Sequence, residues 1–187
     1  MKKELILALR FTLLTTLVFG LIYPLGVTGL SQLLFPKQAA GSLIEKNGRV
    51  VGSKLIGQSF SADKYFHPRP SSAGAGYDAG ASSPSNLAPT NQALVDRVKT
   101  DVAKLQQENP GVPIPADLVT ASGSGLDPEI SPAAADFQIP RVAKARGLSV
   151  DAVKTLVAHH TQARTWGIFG EPRVNVLELN LDLDSLK

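Results

Sequence analysis

The sequence predicts an α+β protein: a single N-terminal transmembrane helix followed by one soluble domain with a small, mainly antiparallel sheet and several helices. Three observations predict it. No charged side chain occurs from Phe11 to Pro36, an Asn47-Gly48 pair separates two β-forming runs, and beyond Thr90 apolar residues recur at helical spacing between caps and glycines. The 187 residues suffice for an anchor and one domain of roughly 150 residues, and a second globular domain is not expected.

The charge-free run, as a helix, is roughly 39 Å long against a hydrocarbon core of about 30 Å. Its Leu, Ile, Val and Phe content outweighs Thr15, Thr16, Pro24 and Gln32. Pro24 removes one backbone hydrogen bond and is expected to kink the helix, while Gly20, Gly26 and Gly29 let a neighbouring helix approach closely. Lys2 and Lys3 with Gly29-Leu30-Ser31 faintly resemble a cleavable leader, but the apolar run continues through Phe35, longer than a leader core of about 7 to 15 residues. Lys2, Lys3 and Arg10 are balanced by Lys37, Lys46 and Arg49. A short head with clustered cations usually stays inside. The expectation is residues 1–10 cytoplasmic, 11–36 in the membrane and 37–187 extracytoplasmic.

Ser42 to Ser53 reads as a hairpin with a type I′ turn at Asn47-Gly48, and Leu55 to Phe60 is expected to extend its sheet. His67 to Pro89 is rich in Ser, Ala, Gly and Pro. Its composition fits a flexible tether, whereas Tyr65, Phe66, Tyr77 and Asn86-Leu87 provide anchors for an ordered loop, and both readings stay open. Pro89-Thr90 caps a helix over 91–107, with Leu94, Val95, Val98, Val102 and Leu105 on one face. Ser131-Pro132 opens a short helix through Phe137, Pro140 restarts helix toward Arg146, and Gly147 stops it. Ser149 caps a further helix burying Val150, Val153, Leu156 and Val157. Val174 to Leu183 alternates as a strand with a bulge at Val176-Leu177.

Chemistry is sparse. There are no cysteines, so thiol nucleophiles, disulfides and zinc-thiolate sites are excluded. A net charge of +3, scattered among acids, forms no stripe for nucleic acid. His67, His159 and His160 are the only bases near neutrality, and no Gly-x-Ser-x-Gly elbow accompanies them. Adjacent histidines point about 100° apart on a helix, which fits exposed or capping roles better than a metal pair. Asn180, Asp182 and Asp184 read as the solvated face of the last strand. No phosphate-cradling loop is present. Trp166, Phe169, Phe60 and Phe66 read as core or interface aromatics. No catalytic, metal or intrinsic cofactor site is expected.

Several segments, in this order after the anchor, resemble the KdpC family, the C subunit of the Kdp potassium-transporting P-type ATPase. They are Gly57-Gln-Ser-Phe60, Tyr65-Phe-His-Pro-Arg-Pro70, Pro84-Ser-Asn-Leu87, Ser124-Gly-Leu-Asp-Pro128, Ile130-Ser-Pro132, Gln138-Ile-Pro-Arg-Val-Ala-Lys-Ala-Arg146, Gly170-Glu-Pro-Arg-Val-Asn-Val176 and Leu179-Asn-Leu181. One departure is Ser82-Ser-Pro-Ser-Asn-Leu87, where the family reads Ser-Gly-Gly-Ser-Asn-Leu; Pro84 stiffens that loop.

The resemblance implies a non-catalytic accessory subunit of an ATP-driven, high-affinity potassium importer in the bacterial inner membrane. Its implied partners are the potassium-conducting A subunit, the P-type ATPase B subunit and the F peptide. The family is described as a catalytic chaperone raising the ATP affinity of the B subunit, and its soluble domain as sitting over the extracytoplasmic mouth of the A subunit. An extracytoplasmic domain cannot touch cytoplasmic ATP, so assembly is the expected role, with ATP reached only through the complex. Two other readings are a membrane-tethered enzyme using His67 or His159, and an outer loop, 65–86, that binds surface ligands. The interface candidates are Gly20, Pro24, Gly26, Gly29, Tyr65, Phe66, His67, Arg69, Asn86, Glu171, Arg173 and Asn175.

Overall fold

A computed structural model describes residues 1–186, which fall into two units, residues 1–51 and a second beginning at Gly52. In the first, α1 (Lys2–Thr15), a widened π-helical segment (Thr16–Ile22) and α2 (Tyr23–Leu34) form one uninterrupted helix of 33 residues. It is long and apolar enough to cross a membrane, and none of its side chains is buried. All of the charge-free run but Phe35 and Pro36 lies inside this longer helix. Helix stops at Leu34 rather than Pro36, because a residue before proline is driven out of the helical region and Phe35 adopts φ −136°, ψ 58°. Pro36 then starts the short α3 (Pro36–Ala39).

Pro24 acts one turn before its own position. It has no N–H for the Gly20 carbonyl, and its ring crowds that carbonyl in a regular helix. The preceding turn is wider instead, with the Tyr23 N–H donating to the Val18 carbonyl five residues back.

The hairpin forms as the Asn-Gly pair dictates. β1 (Leu43–Lys46) and β2 (Arg49–Ser53) flank Asn47 at φ 54° and Gly48 at φ 73°, both in the left-handed region a type I′ turn demands. Leu55 to Phe60 does not extend this sheet. The Ser53 hydroxyl accepts the Leu55 N–H at 3.1 Å and turns the chain, after which the Gly57 N–H donates to the Leu126 carbonyl at 2.7 Å.

In the second unit α4 (Gln92–Glu108) starts one residue later than expected, because Asn91, a stronger cap than Thr90, accepts the Ala93 N–H. A single 3₁₀ turn (Ala116–Leu118) precedes β3 (Glu129–Ile130), α5 (Pro132–Arg146) and α6 (Val150–His160). Ser131 and Ser149 cap the last two helices and Gly147 ends α5 in the left-handed conformation. The expected break at Pro140 is absent. Pro140 and Asp136, whose carbonyl loses its partner, both lie on the exposed side of α5, where solvent has access and the lost bond costs least. The buried side, including Phe137, Ile139 and Val142, runs past it unbroken.

The largest correction is at the C-terminus. β4 (Thr161–Gln162) and β5 (Arg173–Asn175) complete a three-stranded antiparallel sheet ordered β3-β5-β4, with Ile130 and Thr161 both opposite Val174. The chain then becomes helical, α7 (Val176–Leu183), instead of continuing as a strand to Leu183. Asn175 terminates the strand by accepting the Glu178 N–H at 3.0 Å. Val176, Leu179, Asn180 and Leu183, spaced by three and four, form the buried face. Leucine at alternate positions resembled a strand because it is shared between both periods. Phe66, Phe137, Val142, Val153, Val174 and Leu179 are central to the core.

Asn175 is 2 % exposed and its Nδ2 also donates to the Lys54 carbonyl at 2.9 Å. Asn175→Ala removes the cap and leaves a half-buried carbonyl without its side-chain donor, so urea unfolding of the solubilised chain is expected to show a loss of about 2 kcal/mol. A loss under about 0.5 kcal/mol would contradict this account of the strand-to-helix switch.

Candidate interaction site

Residues 62–70 have no regular secondary structure, yet cross the domain beside α5 and α7. Their backbone polar groups need partners away from water, and side chains supply them. Asn180 Oδ1 accepts the Phe66 N–H and Nδ2 donates to the Phe66 carbonyl, both at 2.9 Å. Gln138 repeats the pattern one residue on, accepting the His67 N–H at 2.7 Å and donating to the His67 carbonyl at 3.0 Å. Arg141 donates to the Asp63 and Tyr65 carbonyls, to Glu108 at 2.8 Å and to Gln138 Oε1 at 2.7 Å. A guanidinium can only donate, so this last bond fixes which way the Gln138 amide faces. Arg146 holds the Lys64 carbonyl and Asp184, and lies 5.0 Å from the centre of the Tyr65 ring, whose hydroxyl also donates to Asp184 at 3.1 Å.

The Ser- and Gly-rich stretch beyond is an ordered loop as far as Ser83. The Ser71 hydroxyl donates to the Gly125 carbonyl at 2.5 Å and accepts the Tyr77 N–H at 2.8 Å. The Tyr77 hydroxyl donates to the Arg69 carbonyl, and burial pushes its pKa up to about 12. Ser83 donates its N–H to the Ser124 carbonyl at 3.0 Å. Gly125 makes the approach possible: φ is +68°, and a Cβ there would stand 2.7 Å from the Ala73 nitrogen and the Ser83 oxygen. The Pro84 departure follows this last anchor, and Asn86 beyond it is exposed at φ 53°.

Three interface candidates, Arg69 and the distant pair Glu171 and Arg173, meet at one open cleft. Arg69, Glu171 and Arg173 line it with Asp117, Asp127 and Glu129. Arg69 pairs with Asp127 and Arg173 with Glu129, each at 2.9 Å, while Glu171 pairs with Arg164 at 2.6 Å. Asp117 receives the Ser131 N–H and hydroxyl. The cleft is a polar surface in which both arginines are paired and Asp117 is left without a cationic partner among the described residues, suited to recognising a protein surface by hydrogen-bond register.

Tyr65 and His67 are half-buried, whereas Phe66 and Asn175 are buried by this chain's own packing and present no side-chain surface to a partner. In the first unit, Gly26 and Gly29 have open space where a Cβ would stand, and Gly20 meets only its own helix's Thr16. That leaves the backbone approachable on their side. Asn180, read as part of a solvated strand face, is 1 % exposed; Asp182 accepts from His160 at 2.8 Å and Asp184 from Arg146. Among the described residues no group of three or more His, Asp or Glu is placed to hold a metal ion. Sequence reasoning missed the clamps Gln138, Arg141, Arg146 and Asn180, although the first three stand in one quoted motif. It also left open the fate of Trp166 and Phe169, which are exposed.

A family model described as "K+-transporting ATPase, c chain" (KdpC) matches residues 5–185. The chain is 56 % identical to the "Potassium-transporting ATPase KdpC subunit" of Koribacter versatilis (strain Ellin345), over 98 % of this chain and 95 % of the relative. It is 56 % identical to the same-named subunit of Rhodopseudomonas palustris (strain BisB18) over the full length of both. With that of strain BisB5 the identity is 58 %, over 99 % of this chain and 98 % of the relative.

His67 lies beside Arg141, Lys104 and Glu108, with its Nε2 3.1 Å from the Ala62 carbonyl. Burial, then the Arg141 charge, lowers its pKa below the ordinary 6.5. The unfolded chain therefore binds the proton first. This contribution to stability is complete above about pH 6.5 and is lost as pH falls from there toward the depressed folded value. Unfolding measured from about pH 7.5 down to about pH 5 should show a slope that His67→Gln flattens; an unchanged slope would remove His67 from this role.

Proposed function

The chain belongs to the KdpC family, the c chain of K+-transporting ATPases, and on that premise we propose that it is the non-catalytic accessory subunit of an ATP-driven potassium importer. The observation that carries this is a family match from residue 5 to residue 185, which covers the apolar helix and the folded unit together. In this reading the Lys2–Leu34 helix lies in a bacterial inner membrane with its N-terminus cytoplasmic, and the domain beyond it faces outward. Its partners are the potassium-conducting A subunit, the ATPase B subunit and the F peptide. Gly26 and Gly29 give the helix a side on which a neighbouring helix can approach.

The role is assembly and stabilisation of the complex. Both guanidiniums of the cleft are held by its own carboxylates, Arg69 by Asp127 and Arg173 by Glu129, which disfavours a free phosphate and suits a polar protein partner. Quoted motif residues such as Gln138, Arg141 and Asn180 are committed to holding the 62–70 segment. An outward domain acts on the ATP affinity of the B subunit only by coupling through the pump, since the nucleotide is on the opposite side of the membrane.

Orientation is the decisive measurement. A C-terminal alkaline phosphatase fusion should be active and a C-terminal fluorescent-protein fusion dark; the reverse pair would put the domain beside the nucleotide and overturn the indirect mechanism. Deleting the chain should abolish growth at limiting potassium while leaving growth in ample potassium intact. Growth unaffected by the deletion at limiting potassium would refute the subunit reading.

A further inference from the structure

The segment joining β4 to β5 carries the most exposed large apolar group of the second unit. Trp166 is 85 % exposed, Ile168 72 % and Phe169 59 %. They sit on a closed turn and not on a loose strand end. The Thr165 N–H donates to the Phe169 carbonyl at 2.9 Å and the Phe169 N–H to the Thr165 carbonyl at 3.0 Å, a bridge that pins the tip. Gly167 donates to the Arg164 carbonyl at 3.0 Å, and Arg164 and Glu171 close the base at 2.6 Å. The Trp166 and Phe169 rings meet edge to face, 6.0 Å apart. Trp166 holds φ at 54°, a left-handed conformation that a bulky side chain adopts only under strain. Strain and exposed aromatic surface thus coincide at one rigid tip, and the exposed tryptophan gains no burial from this chain.

We propose that this tip is an anchor that inserts into an apolar pocket on another, larger subunit of the same transporter, a pocket that also offers an acceptor to the indole N–H. The inference rests on the subunit reading given above and adds the contact point. Three observations select the occupant. The side chains together expose about 400 Å², a patch large enough to mark an interaction site yet only about half of what one partner buries in a stable interface. A symmetric pair of tips cannot hold a second copy of this chain unaided, whereas a larger partner already bound elsewhere needs only such an anchor. The charges around the tip are paired with each other: Arg164 with Glu171 and Arg173 with Glu129. An anionic lipid surface therefore gains no electrostatic attraction from it. Finally, the tip is preorganised by its bridge and by the edge-to-face rings, so insertion orders little that is not already ordered, as in interface residues that carry most of a binding energy.

The test uses the full chain co-expressed with the other transporter subunits and purified through a tag on the largest of them. Trp166→Gly relieves the left-handed strain, so the melting temperature of the isolated, solubilised chain should stay level or rise. The amount of chain retained on the purified complex should fall tenfold or more at equal expression. Ile168→Ser should act in the same direction. A photo-reactive residue at position 168 should cross-link to another subunit of the transporter. Full retention of Trp166→Gly and Ile168→Ser, or cross-links only to lipid or to a second copy of this chain, would overturn the anchor while leaving the subunit reading standing. Failure of the unaltered chain to co-purify would overturn both.

Discussion

Backbone that is out of water but belongs to neither helix nor sheet must find its hydrogen bonds among side chains, and in this domain that constraint falls on Phe66 and His67. The amides of Asn180 and Gln138 each present one donor and one acceptor to a single residue's N–H and C=O, which is what a neighbouring strand would have done. Because Gln138 is on α5 and Asn180 on α7, the segment between them ties together helices that are far apart in sequence. Phe66, wholly buried, then supplies the apolar contact that offsets the ordering entropy of the arrangement. Moving either amide would leave two backbone groups unsatisfied at once, so the clamp is all-or-none.

The arginines extend this logic outward. Arg141 and Glu108 form the most buried ion pair of the domain, and the guanidinium contributes through hydrogen bonds to backbone carbonyls as much as through its charge. The other pairs are more exposed, and such pairs contribute on the order of 0–1 kcal/mol each. Their larger effect is to cancel charge locally. A surface treated in this way recognises a partner through shape, hydrogen-bond register and exposed aromatics, and its association depends little on long-range steering. The Arg69–Asp127 and Arg173–Glu129 pairs of the cleft and the Arg164–Glu171 pair at the base of the Trp166 tip share this property.

The apolar helix obeys a different solvent. Every backbone group within hydrocarbon must be satisfied internally, so the bond that Pro24 removes is compensated by widening the preceding turn and not by a break. A widened turn leaves the Gly20 region less tightly wound, and together with Gly26 and Gly29 it gives this helix its features for packing against a neighbour. Its apolar side chains find no partner in the unit to which they belong, as expected of a helix whose partners are lipid or another membrane protein.

What was legible in the sequence follows local rules. The charge-free run, the Asn47-Gly48 turn, the Ser131 and Ser149 caps and the Gly147 stop each depend on a few adjacent residues, so these elements and the α+β class could be read directly. The family resemblance was legible for a related reason, since its motifs are short and ordered along the chain. Misreadings arose where a local rule was outvoted. Alternate leucines after Val176 satisfy both periods, and only the Asn175 cap and a core already occupied by Val153 and Val174 make helix the better packing. Pro140 breaks a helix only if the orphaned Asp136 carbonyl is buried, which depends on how α5 lies on its neighbours. The candidate site shows the same division. Sequence marked Arg69, Glu171 and Arg173 individually, but their meeting at one cleft, the withdrawal of Phe66 and Asn175 into the core and the exposure of Trp166 are consequences of long-range pairing. The sequence by itself determined which residues could cap, turn, span and pair; the tertiary structure decided which of them face inward, because burial is a property of what the rest of the chain leaves uncovered.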